Sequence, residues 1–560
     1  MFKLAWTADF ETTTNQDDCR VWAFGLCQIN NSDLFIYGNS IDDFMLWCEQ
    51  SKNETLYFHN LKFDGEFIIN WLFRHGFKHI ADKKKAQNKT FTTLISDQGQ
   101  FYTMTIYFYV GEDETRKVTI YDSLKIIPFT VEKVAKAFGL PISKLEIDYQ
   151  EYREPGHKLS KIEIDYLRND VTIMAKALEI MFEQNLTKMT QGSNALHDYK
   201  NIVTPKKFKK WFPIPTYDHD IRQSYKGGWT YVNPKIAGKD IGEGIVLDVN
   251  SLYPSVMYYR PLPFGEGVYF KGKYTPDSTY NLYIQMFSCQ FEIKKDYLPT
   301  IQLKNNLSFL ATEYITSSKD EEITLCLTSV DLELFFAHYD VYNIEWLSGW
   351  KFKSTTGLFQ KYIDKWNGIK MQSTIDGNEG MRTLAKLMLN SLYGKFALNP
   401  NVQSKIPYLD SETNVVKYRL GEKETRDPIY IPVGTFITAW ARYTTISAAQ
   451  KVYDRFLYAD TDSLHLVGTE LPSELEIDRV ALGKWKHEST FTRARFIRQK
   501  SYVEEINGAL HITCAGMPSR CYPYVTWDNF KEGSSFAGKL QQTHVPGGIV
   551  FKDIDFTIKK

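Results

Sequence analysis

The sequence predicts a multidomain protein that mixes α/β and α+β units, and three observations lead there. A chain of 560 residues exceeds what one hydrophobic core fills, so roughly three to five domains or subdomains are expected. No internal repeat or low-complexity tract is visible, and short apolar strands alternate irregularly with helical segments. Apolar residues make up 43% and charged residues 24%, ordinary values for globular protein, whereas 15% aromatic is high, as large cores or base stacking require.

The elements follow in order. The first ~190 residues join strands such as LAWTADF, TLYFHN and KVTIYDSL to helices, a size consistent with one domain. They end in a long helix, because Ser160 and Glu163 form a capping box ahead of IDYLRNDVTIMAKALEIMFEQNL, whose apolar residues recur at helical spacing. Lys206 to Pro215, with three prolines nearby, predicts a linker. From Tyr225 a Gly227-Gly228 pair, the strand GIVLDVNSLYP and a meander of strands run to about Leu347. Helices dominate from Gly357 to Phe396. A polar, turn-rich stretch from Asn399 to Asp427 then leads to a last region of strands and helices carrying LYADTDSLHL.

Charge and cysteine usage exclude some classes. Lys plus Arg equals Asp plus Glu at 67 each, so net charge does not identify a partner. The basic runs Lys206-Lys207-Phe208-Lys209-Lys210 and Arg493, Arg495, Arg498, Lys500 are interleaved with aromatic or apolar residues, and each alone reads as a solvated face. Seven cysteines are scattered without zinc spacing, which predicts free thiols in a reducing cytosol. An acidic pair by residue 11 leaves no room for a signal peptide, and no apolar run reaches ~20 residues, so no membrane partner is expected.

The chemistry lies in paired acids. Strand period puts Trp6, Ala8 and Phe10 on one face and Asp9 and Glu11 on the other. Tyr166 and Asp170, at i and i+4, share a helix face, and Asp64 in HNLKFDGEF is a third possible source of negative charge. Asp460 and Asp462 flank Thr461 at a predicted turn between two strands. Buried unpaired charge costs several kcal/mol, so water, a basic partner or a metal must compensate these acids. The functional reading is Mg²⁺, with Asp248 in a separate strand completing a two-cation clamp for phosphoryl transfer. Lys386, Asn390 and Tyr393 form one polar stripe at i, i+4 and i+7, suited to a triphosphate and a base or sugar. Taken singly, each motif also fits a surface acid, a β-turn or an amphipathic helix.

Together these motifs resemble the family B DNA polymerases, and more closely the protein-primed members of phi29-like phages. Asp248-Val-Asn-Ser-Leu-Tyr253-Pro resembles their first palm motif, Lys386 to Gly394 their fingers motif, and Tyr458-Ala-Asp460-Thr-Asp462-Ser their second palm motif. Lys500-Ser501-Tyr502 matches a K-x-Y motif, Thr438 to Arg442 a T-x-x-A-R motif, and Tyr225-Lys226-Gly227-Gly228 a Y-x-G-G motif. The order runs essentially end to end.

The resemblance implies an RNase H-like 3′-5′ exonuclease domain followed by a right-hand polymerase of palm, fingers and thumb with two insertions. The implied bounds are 1–189 for the exonuclease, 190–260 and 424–515 for the palm, 358–394 for the fingers and 516–560 for the thumb. Insertions at 261–357 and 395–423 are implied to meet the priming protein and to support processive, strand-displacing synthesis. Residues 371–385 run a few positions longer than the family pattern, and the turn from Glu504 to His511 is shorter.

Asp248, Asp460 and Asp462 are implied to hold two Mg²⁺ ions, with Mn²⁺ an alternative, and Asp9, Glu11, Asp64 and Asp170 to hold two more, aided by Tyr166 and Lys144. Tyr253, Lys370, Lys386, Asn390 and Tyr393 are implied to bind the dNTP. Thr12, His59, Asn60, Phe63, Ser123, Leu124 and Phe129 are implied to hold a single-stranded 3′ end. Tyr225, Gly227, Gly228, Thr438, Arg442, Lys500 and Tyr502 are implied to bind primer-template DNA. A terminal protein is the implied primer, with the enzyme a monomer or a heterodimer with that protein in the cytoplasm of an infected bacterium. A metal nuclease with a binding platform, a D-x-D glycosyltransferase and a purely structural partner protein are the alternatives.

Overall fold

The computed structural model of the chain describes residues 5–149, 151–302 and 314–559. The first four residues of the expected 1–189 unit, residues 303–313 of the expected 261–357 insertion and Lys560 of the expected thumb lie outside the described residues.

The N-terminal unit is built on an eight-stranded mixed sheet. Its central strand, Ala5–Thr12, runs antiparallel to Val21–Gln28 and parallel to Thr55–Phe58. The helices Leu61–Arg74 and Lys161–Glu183 complete this unit. The second is long because its start is well capped: the Ser160 hydroxyl accepts from the Glu163 backbone N–H, and the Glu163 carboxylate accepts from Ser160 N. The Thr7 hydroxyl donates to the Val171 carbonyl at 2.7 Å, which locks helix to sheet.

The segment expected to be a linker contains a helix, Pro205–Trp211. Pro205 occupies its first turn, where a missing N–H costs nothing, and the Thr204 hydroxyl accepts from Lys207 N. Prolines here start a helix as well as break the chain.

A five-stranded sheet follows, in the order Trp485–Phe491, Gly244–Val249, Ser463–Val467, Phe456–Asp460, Thr230–Val232. It packs against the buried helix Ile431–Lys451. A separate four-stranded sheet, led by Leu262–Lys271, Leu282–Ile293 and Tyr339–Thr355, forms the expected meander, but the helix Ser329–His338 interrupts it. Gln360–Ile375 and Glu379–Ser391 make an antiparallel helical pair.

The polar stretch expected to be turns forms a two-stranded hairpin, Asn401–Leu409 with Val416–Thr425. A second hairpin, Ser535–Val545 with Gly548–Thr557, closes the chain. Both reach the N-terminal unit: Tyr418 OH donates to Glu66 at 2.8 Å, and Phe551 stacks on Phe63 with ring centroids 5.4 Å apart. Among the described residues no helix is long and apolar enough to cross a membrane.

Candidate active sites

The first site gathers acids from two strand positions and two helices. Asp9 and Glu11 leave the central strand on the face opposite Trp6, Ala8 and Phe10, which are buried in the core. Asp64 comes from the first turn of its helix, and Tyr166 and Asp170 project from the long helix. A cavity of about 520 Å³ is lined by Asp9, Glu11, Thr12, Tyr166 and Asp170, with Lys144 at its wall. Lys144 Nζ donates to Asp170 at 2.7 Å, and Tyr149 and Tyr166 hydroxyls are 2.7 Å apart.

The electrostatics are those of acids crowded without enough compensation. Burial and then Asp170 raise the Asp9 carboxyl to about 7. Burial, then Asp9 and Asp170, push Glu11 well above its usual range, and burial followed by Asp9 does the same to Asp64. Burial also raises Asp170 despite Lys144. One oxygen each of Asp64 and Asp170 is buried without a hydrogen-bond partner. One lysine does not balance four acids, so the donor set fits divalent cations.

Around this cavity, Phe63 stacks on Phe551, which sequence reasoning missed because nothing local ties a C-terminal strand to the first unit. Asn60 sits at φ +77°, and its N–H donates to Asp122. The His59 ring lies between the Phe129 carbonyl at 2.6 Å and the Ser123 hydroxyl at 3.0 Å, and burial lowers its pKa. Ser123 is fully buried, whereas Leu124 and Phe129 keep partial exposure.

The second site is set by strand register. Asp248 pairs with Ser463, and Ser463 pairs with Asp460 on its other side, so the two acids lie in one row across three strands. Neighbouring strands are about 4.8 Å apart, which places the two backbones roughly 10 Å apart with side chains able to converge. Asp248, Asp460, Asp462, Lys500 and Tyr502 line one cavity of about 590 Å³.

Thr461 carries the turn at φ +61°, a left-handed conformation costly for a β-branched residue. It is held there by its N–H on the Trp229 carbonyl at 2.8 Å and by Thr445, whose hydroxyl donates to its carbonyl at 2.6 Å. Gly228 explains the glycine of the Tyr225 segment: a Cβ there would lie 2.6 Å from Thr461 Oγ1.

Lysines compensate part of this charge. Lys500 Nζ donates to both Asp460 oxygens at 2.7 Å, and Lys486 Nζ stands 3.6 Å from Asp248. Burial, then Asp462, still raises Asp248 to about 6, and burial raises Asp462. At neither site, among the described residues, do three acids close on one point as a metal cage. Both arrangements suit Mg²⁺, which takes one or two carboxylates and completes its shell with water and substrate phosphate.

Tyr253 and Tyr393 stack face to face with centroids 4.1 Å apart. Lys386 and Asn390 are exposed on the same helix, opposite buried Leu384, Met388 and Leu389. Burial, then Lys386 and Arg382, lowers Lys370, and burial, then Arg382, lowers Lys386.

Thr438 and Arg442 face inward. Thr438 is bonded to its own helix, and Arg442 makes a bidentate pair with Asp331 at 2.7 and 3.0 Å while donating to the Lys226 and Gly227 carbonyls. Arg442 thus supports the Tyr225–Gly228 backbone from behind, and both side chains are buried. Asp331 escaped sequence reasoning; it lies in the first turn of the unpredicted helix, whose cap Thr328 accepts from its N–H and donates to its carboxylate, and Arg442 overrides burial to hold that carboxyl low.

Acids united in one row across three strands, with Lys370 and Lys386 carried by a neighbouring helical pair, define a nucleic-acid polymerase. The family model for DNA polymerase type B, organellar and viral, matches residues 48–161 and 146–478. The chain is 49% identical to the DNA polymerase of Bacillus phage phi29 over 577 residues, covering 99% of both. It is 34% identical to the DNA polymerase of Streptococcus phage Cp-1, covering 99% of this chain and 98% of that one. The solved structure of phi29 DNA polymerase complexed with primer-template DNA superposes with a TM-score of 0.94 at 48% identity, covering all of both chains. The chain belongs to the family B DNA polymerases, as a close homologue of the phi29 enzyme.

Proposed function

We propose that this DNA polymerase copies phage DNA from dNTPs, starts on a terminal protein, displaces the strand ahead and proofreads with the N-terminal site. The single observation that carries the polymerase reading is the Asp248–Ser463–Asp460 row, which unites acids distant in sequence.

Asp248 and Asp460, with Asp462 in support, would hold Mg²⁺ or Mn²⁺, and the bound cations would neutralise the triphosphate and lower the pKa of the attacking hydroxyl. A primer 3′-hydroxyl, or a hydroxyl of the terminal protein, attacks the α-phosphorus, and the bond to the β-phosphate breaks. Lys370 and Lys386 grip the phosphates that leave as pyrophosphate. The Tyr253 ring, held flat by Tyr393, closes the space a ribose 2′-hydroxyl needs, and Tyr393 packs on the nascent pair. Asn390 lies on the same exposed stripe. Lys500 exchanges its hold on Asp460 for the primer strand, with Tyr502 beside it, while Tyr225, Gly227 and Gly228 bind the primer-template through backbone that Arg442 braces, with Thr438 one turn earlier on the same helix.

In the N-terminal site Asp9, Glu11, Asp64 and Asp170 would hold the second pair of cations. Tyr166 and Lys144 orient the attacking water, and Thr12, His59, Asn60, Phe63, Ser123, Leu124 and Phe129 hold the frayed 3′ end, with aromatic rings as stacking platforms. Residues 1–189 thus form the exonuclease, 190–260 and 424–515 the palm, 358–394 the fingers, 516–560 the thumb, and 261–357 and 395–423 the insertions. The site of action is the cytoplasm of the infected bacterium.

The separating experiment is dAMP transfer to purified candidate terminal proteins, with and without template. Labelled terminal protein supports protein priming. Extension of a DNA primer with no labelling of any candidate sinks that part of the proposal and leaves the polymerase intact.

A further inference from the structure

Residues 199–217 carry five lysines and no acid. The helix Gln191–Val203 contributes Lys200, and the short helix after it contributes Lys206, Lys207, Lys209 and Lys210, all four exposed. The one acid of the preceding helix, Asp198, is already taken by Lys365 at 2.7 Å and by the Trp366 indole. Among the described residues none of these five lysines has a carboxylate partner within ion-pair distance. A solvated helix face normally mixes signs, because like charges four residues apart repel.

The patch is also built on a firm base. Lys200 Nζ lies 4.5 Å above the buried Phe208 ring, and Lys207 Nζ lies 4.5 Å above Trp211. Phe208 packs on Tyr199 and Phe212, so the helix is anchored by its apolar side while its lysines stay outward. Burial, and then Lys209, lowers Lys200; burial, and then Lys200, lowers Lys395.

That sequence of neighbours gives the patch a direction. Lys395 lies two residues beyond Tyr393, the ring stacked on Tyr253 at the proposed nucleotide site. It also lines a cavity of about 780 Å³ together with Lys125 and Arg426. Asp97 and Asp427 also line that cavity, but Lys395 and Lys200 stand close enough to feel each other's charge and so connect the Tyr393 end of the fingers helix with Lys206–Lys210.

We propose that the Lys200–Lys210 patch is a binding surface for the phosphate backbone of DNA that has not yet been copied, on the side where the strands enter the enzyme. Two features favour a nucleic-acid backbone over an acidic protein face: five lysines gather without a carboxylate partner, and Lys200 joins them to Lys395, two residues from the Tyr393 ring at the proposed nucleotide site. The inference rests on the placement of that site proposed above.

The test replaces Lys206, Lys207, Lys209 and Lys210 together by Gln in the full chain. Equilibrium binding is measured against salt on two primer-templates, one ending at the templating base and one with twenty base pairs of duplex ahead of it. Each phosphate contact to duplex contributes about 0.9 to the slope of log K against log salt. On the longer substrate the variant should lose a slope of roughly two to four and bind at least tenfold more weakly at moderate salt. On the shorter one, binding and single-nucleotide extension should equal wild type, which also shows that the variant is folded and that the reaction site itself stands.

Equal slopes on the longer substrate would overturn the proposal and assign the patch to an acidic protein partner. Equal losses on both substrates would overturn it as well, because the lysines would then serve DNA already copied. Loss of extension by wild type would instead fall on the reaction-site reading.

Discussion

Replacing Asp9 by Asn isolates the cost of ionising the N-terminal cavity without its cations. Burial, and then Asp170, raise the Asp9 carboxyl from 3.8 to about 7. A carboxyl raised in the folded state contributes its full stability below the unfolded value, and this is lost progressively as pH climbs from about 4 through about 7. Over the interval from pH 5 to pH 8 about two of those pH units are crossed, which corresponds to about 3 kcal/mol. This figure is an upper bound, because Asp9 keeps some contact with its cavity and its neighbours adjust their protons with it.

The assay is denaturant unfolding of wild type and Asp9→Asn in chelator at pH 5 and pH 8, followed through a probe in the N-terminal unit. Wild type should lose up to about 3 kcal/mol more than the variant between the two pH values, and Mg²⁺ should abolish the difference. Parallel pH dependence in both proteins would refute the picture of acids crowded without compensation.

Two further outcomes follow from the polymerisation site. Tyr253→Val removes the ring that stacks on Tyr393, so ribonucleotide incorporation should rise by at least roughly tenfold in a competition assay while deoxynucleotide use persists. Gly228→Ala places a methyl group 2.6 Å from the pinned Thr461 hydroxyl, so primer extension should fall by roughly tenfold or more, with 3′-end degradation retained. Adding Thr461→Gly, which relieves both the clash and the left-handed backbone, should restore much of that loss; no recovery would separate the two residues.

The acids were legible in the sequence because periodicity is a local property. Two-residue spacing put Asp9 and Glu11 on one strand face, and four-residue spacing put Tyr166 and Asp170 on one helix face, as the structure has them. The turn through Thr461 was legible for the same reason. The hairpin of Asn401–Leu409 and Val416–Thr425 was not, because an outlying two-stranded ribbon needs little apolar alternation and its charged residues read as loop. Pro205 obscured a helix that it in fact begins.

Contacts between remote segments left no local trace at all. Asp331 with Arg442, and Phe551 with Phe63, join residues whose partners only the tertiary fold brings near. The inward aim of Arg442 belongs to the same class: its motif was visible, but its role as a brace depends on the unpredicted helix that carries Asp331.

The account depends most on two acid clusters acting as independent centres. The direct measurement takes Asp248→Asn and the Asp9→Ala/Asp64→Ala double variant side by side, each assayed for dNTP incorporation and for removal of a labelled 3′ nucleotide in Mg²⁺. Reciprocal loss is expected, with the first variant unable to synthesise yet still trimming, and the second synthesising without trimming. If either protein, folded by circular dichroism, lost both reactions together, the two centres would not be separate.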